Sequence, residues 1–311
     1  AHIETAEGGT PPLNIDGASL HGIDYQLPMA SAQVKSCLLL AAMYADGQTS
    51  IRQPAVCRDH TERLLQGFGY PVEQDQQLGI VKVTGGHSLK ATNIDIPGDI
   101  SSAAFFLVGA SIAPGSQLRL EHIGINPTRT GIIDLLRLMG ADIQLLNSSD
   151  AGGEPVADLL VSHARLRGID IPQELIPLAI DEFPALFVAA ACAEGTTRLR
   201  GAEELRVKES DRLQAMADGL QVLGIDLQLY DDGIDITGGQ LGGGEIDSQG
   251  DHRIAMAFAM AALCSSAPII IRDCANVATS FPGFVELACS AGLQLQSQQN
   301  SQQASASESQ Q

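Results

Sequence analysis

Residues 181–202 read DEFPALFVAAACAEGTTRLRGA, and this stretch decides the fold. A polar start is followed by an apolar run without a polar face, then a small-residue turn, then an alternating strand. A helix that is apolar nearly all round is buried, so sheets must lie outside it. The same pattern recurs at 31–54 (SAQVKSCLLLAAMYADGQTSIRQP), 99–123 (DISSAAFFLVGASIAPGSQLRLEHI) and 251–274 (DHRIAMAFAMAALCSSAPIIIRDC). The starts lie roughly 70–80 residues apart, too long a period for a solenoid and therefore an internal duplication.

Working outward, a second helix signal follows each strand: HTERLLQGFG (60–69), PTRTGIIDLLRLMG (127–140), ESDRLQAMADGLQVLG (209–224) and SFPGFVELACSAG (280–292). The first three end on a Gly suited to a helix C-cap, and the last is read with its Gly just inside the end. β-rich stretches follow at 79–84, 156–163 and 225–237. Each repeat thus reads β-α-β-α-β-β, with the first helix inside. Residues 1–20 resemble the closing strands of a preceding repeat. From Ser297 the polar, low-complexity tail SQQNSQQASASESQQ cannot build a core and is expected to be disordered.

The formal net charge of −19 opposes nucleic acid and anionic membranes. Aromatic residues are only 4%, too few for a base-stacking platform. With 18 Lys and Arg in all, any local cluster of cations is informative. The six cysteines show no CxxC pair and are read as reduced, buried thiols of a cytoplasmic protein. No metal-ligand spacing is present among the histidines and cysteines, and no apolar run reaches the ~18 residues of a membrane span.

Each buried helix opens on polar residues at its positive end: Ser31-Ala32-Gln33, Ser101-Ser102, Asp181-Glu182 and Asp251-His252-Arg253. Such ends bind anions, and ordinary capping explains the same residues. Arg253 stands out, because a guanidinium in the first turn of an apolar helix needs a carboxylate or phosphate beside it. In Lys208-Glu209-Ser210-Asp211-Arg212 the helical wheel places Glu209 within roughly 40° of Leu213, Met216 and Leu220. A carboxylate continuing that buried stripe is partly desolvated and suited to hold a proton near neutral pH. The alternative is a first-turn Glu serving the helix dipole, with Lys208 and Arg212 in solvent. Arg58 either meets a phosphate or pairs with Asp59 or Glu62.

Together, PMASAQVKS (28–36), RDHTERLLQGFG (58–69), PGDISSAAF (97–105), NPTRTGI (126–132), IDEFP (180–184), EELRVKESDRL (203–213), DHRIAM (251–256) and ATSFP (278–282) resemble the 5-enolpyruvylshikimate-3-phosphate synthase family, in order from about residue 1 to 295. The Ser-Ala-Gln and RDHTE strings are similar to its glyphosate-tolerant subclass. The resemblance implies an inverted, inside-out α/β barrel fold built from βαβαββ repeats in two domains: an incomplete first domain over 1–97, a second over 98–295, and the tail 296–311. It implies a cytoplasmic, monomeric transferase without a cofactor or metal, using shikimate 3-phosphate and phosphoenolpyruvate as substrates. Ser31, the backbone of Ala32, Gln33, Arg58, Asp181 and Lys208 would contact shikimate 3-phosphate. Gln33, Arg212 and Arg253 would contact phosphoenolpyruvate. Asp181 would accept the proton of the attacking hydroxyl, and Glu209 would give one to the methylene carbon.

Two departures accompany the resemblance. The family's GDKSxSHR-like and GNAGT-like strings and a further arginine are expected upstream of Ala1, which puts catalysis by this chain alone in question. Some relatives carry a lysine near the ATSFP string, where this chain has Thr279 and Ser280. UDP-N-acetylglucosamine enolpyruvyl transferase and a non-catalytic fragment of a longer enzyme are the competing readings.

Overall fold

The computed structural model describes residues 1–297 apart from Gln76, so the expectation of a disordered tail falls, from residue 298 onward, outside the described residues. The chain divides into two compact units. The first comprises 1–98, 122–130 and 147–157; the second comprises 99–121, 131–146 and the described residues from 158 onward.

In the first unit the chain opens with an antiparallel pair, β1 (His2–Thr5) and β2 (Leu13–Asp16). Then come β3 (Leu20–His21), β4 (Asp24–Gln26), α1 (Ala32–Ala42), β5 (Ala45–Asp46), β6 (Gln48–Arg52), α2 (His60–Gly67), β7 (Val72–Asp75) and β8 (Ile80–Thr84). The sheet order is β4-β6-β8-β7. β4 runs parallel to β6, as a helical crossover requires, and the hairpin β7–β8 pairs antiparallel. Period-two alternation buries Thr49 and Ile51 of β6 and Val81 and Val83 of β8, and Ile51, Val81 and Val83 cluster with Leu39 and Ala42 of α1, Leu65 of α2, Leu27 and Tyr70.

The next repeat continues with α3 (Ile100–Ile112), β9 (Gln117–Gly124), α4 (Gly131–Leu138), β10 (Asp142–Ala151) and β11 (Glu154–Ser162). The third has α5 (Ile176–Ala179), α6 (Phe183–Ala191), β12 (Thr196–Leu199), α7 (Arg212–Val222), β13 (Asp226–Tyr230) and β14 (Gly233–Thr237). The last has β15 (Gly244–Asp247), α8 (His252–Ala261), β16 (Ile269–Arg272), α9 (Asn276–Ser280) and α10 (Phe284–Ser290). The sheets β10-β11-β9 and β12-β14-β13 repeat the arrangement of the first, with the closing strand in the middle. In the last repeat β15 and β16 pair in parallel.

The second unit has its helices inside. α3, α6 and α8 pack on one another, and almost every residue of the three is buried. Alanines allow close approach while Phe105, Phe183, Phe187 and Phe258 fill the space between. The second helices stop by one device. α7 runs into Gly224 at φ +85°, whose N–H donates to Gln221 while Ile225 N–H donates to Leu220. A residue with a Cβ disfavours that left-handed turn. Gly69, Gly140 and Gly292 hold the corresponding place after α2, α4 and α10, so the last glycine lies beyond its helix rather than inside the end.

Two expectations are corrected here. α1 is not buried all round: only Lys35, Leu39 and Ala42 are, while Val34 and Leu40 are 42% and 51% exposed, because α1 packs through one stripe onto β6 and β8. The cysteines are free but not uniformly buried. Cys57 is, Cys192 and Cys264 are partly so, and Cys37, Cys274 and Cys289 lie exposed on outer helix faces or in loops.

Candidate active site

In the second unit, four helix starts converge. Each needs acceptors for its free N–H groups, and local sequence supplies most of them. Asp99 accepts from Ser102 N–H at the start of α3, Asp211 from Gln214 N–H at α7, and Asp251 from Arg253 N–H at α8. Glu182 caps α6 without a side-chain hydrogen bond, and Pro184 occupies its first turn. The Glu182 carboxylate, 2% exposed, instead accepts from the Ser101 hydroxyl, tying α6 to α3.

Arg212 is the centre of this arrangement. Its side chain is buried, although it is the first residue of α7. Nε donates to Asp251 Oδ2 at 2.8 Å and Nη2 to Glu209 Oε2 at 2.5 Å. Nη1 is buried and makes no hydrogen bond, with Asp181 Oδ1 3.6 Å away. Lys208 Nζ lies 3.5 Å from the same Asp181 oxygen and also contacts Glu204. Arg253 Nη1 donates to the Asp181 backbone oxygen at 3.0 Å and lies 3.8 Å from Glu182 Oε1. Asp181, Lys208, Glu209, Arg212 and Arg253 are therefore brought together.

The carboxylates around these cations fall into two kinds. Asp251 is wholly buried; burial works against its ionised form, but the hydrogen bond and charge of Arg212, with Arg253 N–H and Ser210 Oγ, hold it below the usual carboxylate range. Glu204 and Glu209 are 61% and 56% exposed, so their ion pairs are solvated, weak and exchangeable for another anion. Burial, with Arg253 next to it, keeps His252 below the usual histidine range and hence neutral at physiological pH.

The reading of Glu209 as a desolvated carboxylate is corrected. The helix begins at Arg212, capped by Asp211, so Glu209 lies in the bend before it and the helical wheel does not apply. The solvated alternative for Arg212 fails equally, since it is buried against Asp251. The polar start of α3 is likewise divided: Asp99 is the cap, and Ser101 turns inward to Glu182.

Ser31, Ala32, Gln33 and Arg58 belong to the first unit. Ser31 caps α1, its Oγ accepting from Val34 N–H at 3.3 Å. Arg58 immediately precedes Asp59, the N-terminal flanking residue of α2. Asp59 does not cap; Arg63 Nε donates to both its oxygens at 2.9 Å and Asn126 Nδ2 to Oδ1 at 2.7 Å. Against the burial that raises it, those bonds hold its carboxyl low. Asn126 also donates to Glu154 Oε2, while Glu154 Oε1 pairs with His60 Nδ1 at 2.7 Å. The starts of α1 and α2 lie side by side, joined by Lys35–Glu62 at 2.6 Å and by Ser36–Thr61 at 2.7 Å. Sequence reasoning passed over this ion pair, although Lys35, Leu39 and Ala42 fall on one helical stripe.

Among known proteins, residues 1–287 match the family model described as EPSP synthase (3-phosphoshikimate 1-carboxyvinyltransferase). The chain is 65% identical over 294 residues to the 3-phosphoshikimate 1-carboxyvinyltransferase of Nitrosococcus oceani, covering 94% of this chain and 66% of that protein. It is 63% identical over 297 residues to that of Methylococcus capsulatus, covering 95% and 68%. A solved EPSP synthase from Acinetobacter baumannii superposes with TM-score 0.89 at 55% identity, over 96% of this chain and 69% of that one. The enolpyruvyl transferase NikO from Streptomyces tendae, at 18% identity and TM-score 0.74, shares the fold over 94% of this chain and 68% of its own. The chain spans about two thirds of the length of these relatives.

Proposed function

The chain belongs to the EPSP synthase family, and from that premise we propose that it serves the transfer of the enolpyruvyl group of phosphoenolpyruvate to the 5-hydroxyl of shikimate 3-phosphate, with release of phosphate. The observation that carries this reading is Arg212, buried, anchored through Nε on Asp251, with Nη1 3.6 Å from the Asp181 oxygen that Lys208 also approaches. A guanidinium held this way presents a fixed fork to a carboxylate or phosphate.

Arg212 and Arg253, with Gln33, take phosphoenolpyruvate; Ser31, Ala32 N–H, Gln33, Arg58, Asp181 and Lys208 take shikimate 3-phosphate. Substrate anions displace the solvated Glu204 and Glu209 from Lys208 and Arg212. Asp181 accepts the hydroxyl proton while Glu209 protonates the methylene, making C2 electrophilic. The oxygen attacks C2; the tetrahedral adduct then expels phosphate, which carries off the proton held on Asp181, while Glu209 takes back a proton from the methyl group to form the enol ether of the product. Glu209 is exposed, and in this reading bound substrate covers it and shuts out water. The cations offset the repulsion between two anionic substrates. The reading has the protein act as a cytoplasmic monomer of two enolpyruvyl-transferase domains divided near residue 97.

The test is phosphate release from phosphoenolpyruvate, measured for this chain and for one extended to the relatives' length. Release is expected with shikimate 3-phosphate and not with UDP-N-acetylglucosamine. No release by either chain would overturn the proposal, and release with the nucleotide sugar alone would move it to the other transferase.

A further inference from the structure

Lys35 is the fourth residue of α1 and Glu62 the third of α2. Both side chains are 1% exposed at a separation of 2.6 Å. Lys35 Nζ also donates to Gln53 Oε1 at 3.3 Å, and Glu62 Oε2 is buried without a hydrogen bond. One residue before Glu62 and one after Lys35, the Thr61 and Ser36 hydroxyls bond at 2.7 Å. An ion pair removed from water in this way adds little net stability, and apolar residues of similar size commonly serve as well. What it adds is geometry. Two positive helix ends set side by side repel, and the pair holds them in one register.

We propose that Lys35 and Glu62 are a positioning pair, setting the spacing between the start of α1, with Ser31 and Gln33, and Arg58 just ahead of α2, so that one phosphate-bearing substrate is met from both. Neither side chain touches that substrate. The proposal rests on the assignment of Ser31, Gln33 and Arg58 to shikimate 3-phosphate made above.

The experiment is calorimetric titration of the full chain with shikimate 3-phosphate, alongside thermal melting, for the unaltered protein and for Lys35→Met/Glu62→Leu. This double substitution leaves no orphaned charge. The expected result is a dissociation constant raised about tenfold with the melting temperature nearly unchanged. A merely structural pair would move the melting temperature and leave affinity alone. If the double variant does not fold, Lys35→Met/Glu62→Gln, which keeps the shape of Glu62, is read in its place. Affinity within about twofold of the unaltered chain in a folded variant overturns the positioning role, and so does loss of folding in both variants, which would make the pair a support of the fold. Absence of binding both by the unaltered chain and by one extended to the relatives' length would instead remove the substrate assignment itself, a distinguishable failure.

Discussion

Replacing Asp251 tests the site at its most buried point. Asp251→Asn keeps an oxygen to cap α8 and accept from Arg253 N–H but deletes the charge opposite Arg212, 2.8 Å away and equally buried. Breaking a buried pair costs about 3–5 kcal/mol because the remaining charge is uncompensated. Arg212 keeps Asp181 3.6 Å away as well as the solvated Glu209, so the lower end of that range applies, about 3 kcal/mol. Asp251→Ala also removes the cap, worth about 1 kcal/mol more. Urea unfolding followed by circular dichroism measures both. The pH dependence has a definite sign. A carboxyl held lower in the folded than in the unfolded chain contributes stability that is present above the unfolded value, about 3.9, and lost as pH falls through the folded one. The gap between the unaltered chain and Asp251→Asn should therefore be full near about pH 7 and narrow progressively below about pH 4. A gap under about 1 kcal/mol, or one equally wide at about pH 3, would refute the reasoning.

Three further outcomes follow. Glu209→Gln in a chain of the relatives' length should lower turnover at least about a hundredfold while calorimetry still finds shikimate 3-phosphate bound; near-normal phosphate release would remove Glu209 as the acid. Arg253→Ala should raise KM for phosphoenolpyruvate about 10–100-fold, the equivalent of one charge-assisted hydrogen bond; an unchanged KM in steady-state kinetics would take Arg253 out of the clamp. Gly168→Ala places a Cβ 2.5 Å from the Thr196 backbone where the chain runs beside β12, and should cost about 2 kcal/mol in urea unfolding; a neutral result would mean that this approach relaxes freely.

The repeats and helix ends were legible because their causes are local. A cap such as Asp211 or Asp251 and its N–H partner lie two or three residues apart, and each terminal glycine follows its own helix. The sequence named Asp181, Lys208, Glu209, Arg212 and Arg253, which the fold brings together, but it misjudged their surroundings. Ser210 and Asp211 are both capping residues by type, and the choice of Asp211 moved Glu209 out of the helix and into solvent. The burial of Arg212 depends on Asp251, 39 positions away, and that of Lys35 on Glu62 from another helix. No local period records such pairings, although a lysine on the inward stripe of α1 is itself a sign that a distant carboxylate must exist.

The outward stripe of α1 has a colloidal consequence. Val34 and Leu40, with Tyr44 just beyond, present apolar surface to water, while the chain carries a net charge of −19. At low ionic strength that charge keeps molecules apart over tens of ångströms. In about 0.1 M salt the repulsion decays within ~10 Å, so apolar patches can approach to contact. Association through this surface should therefore rise with salt, and light scattering across an ionic-strength series reads it directly.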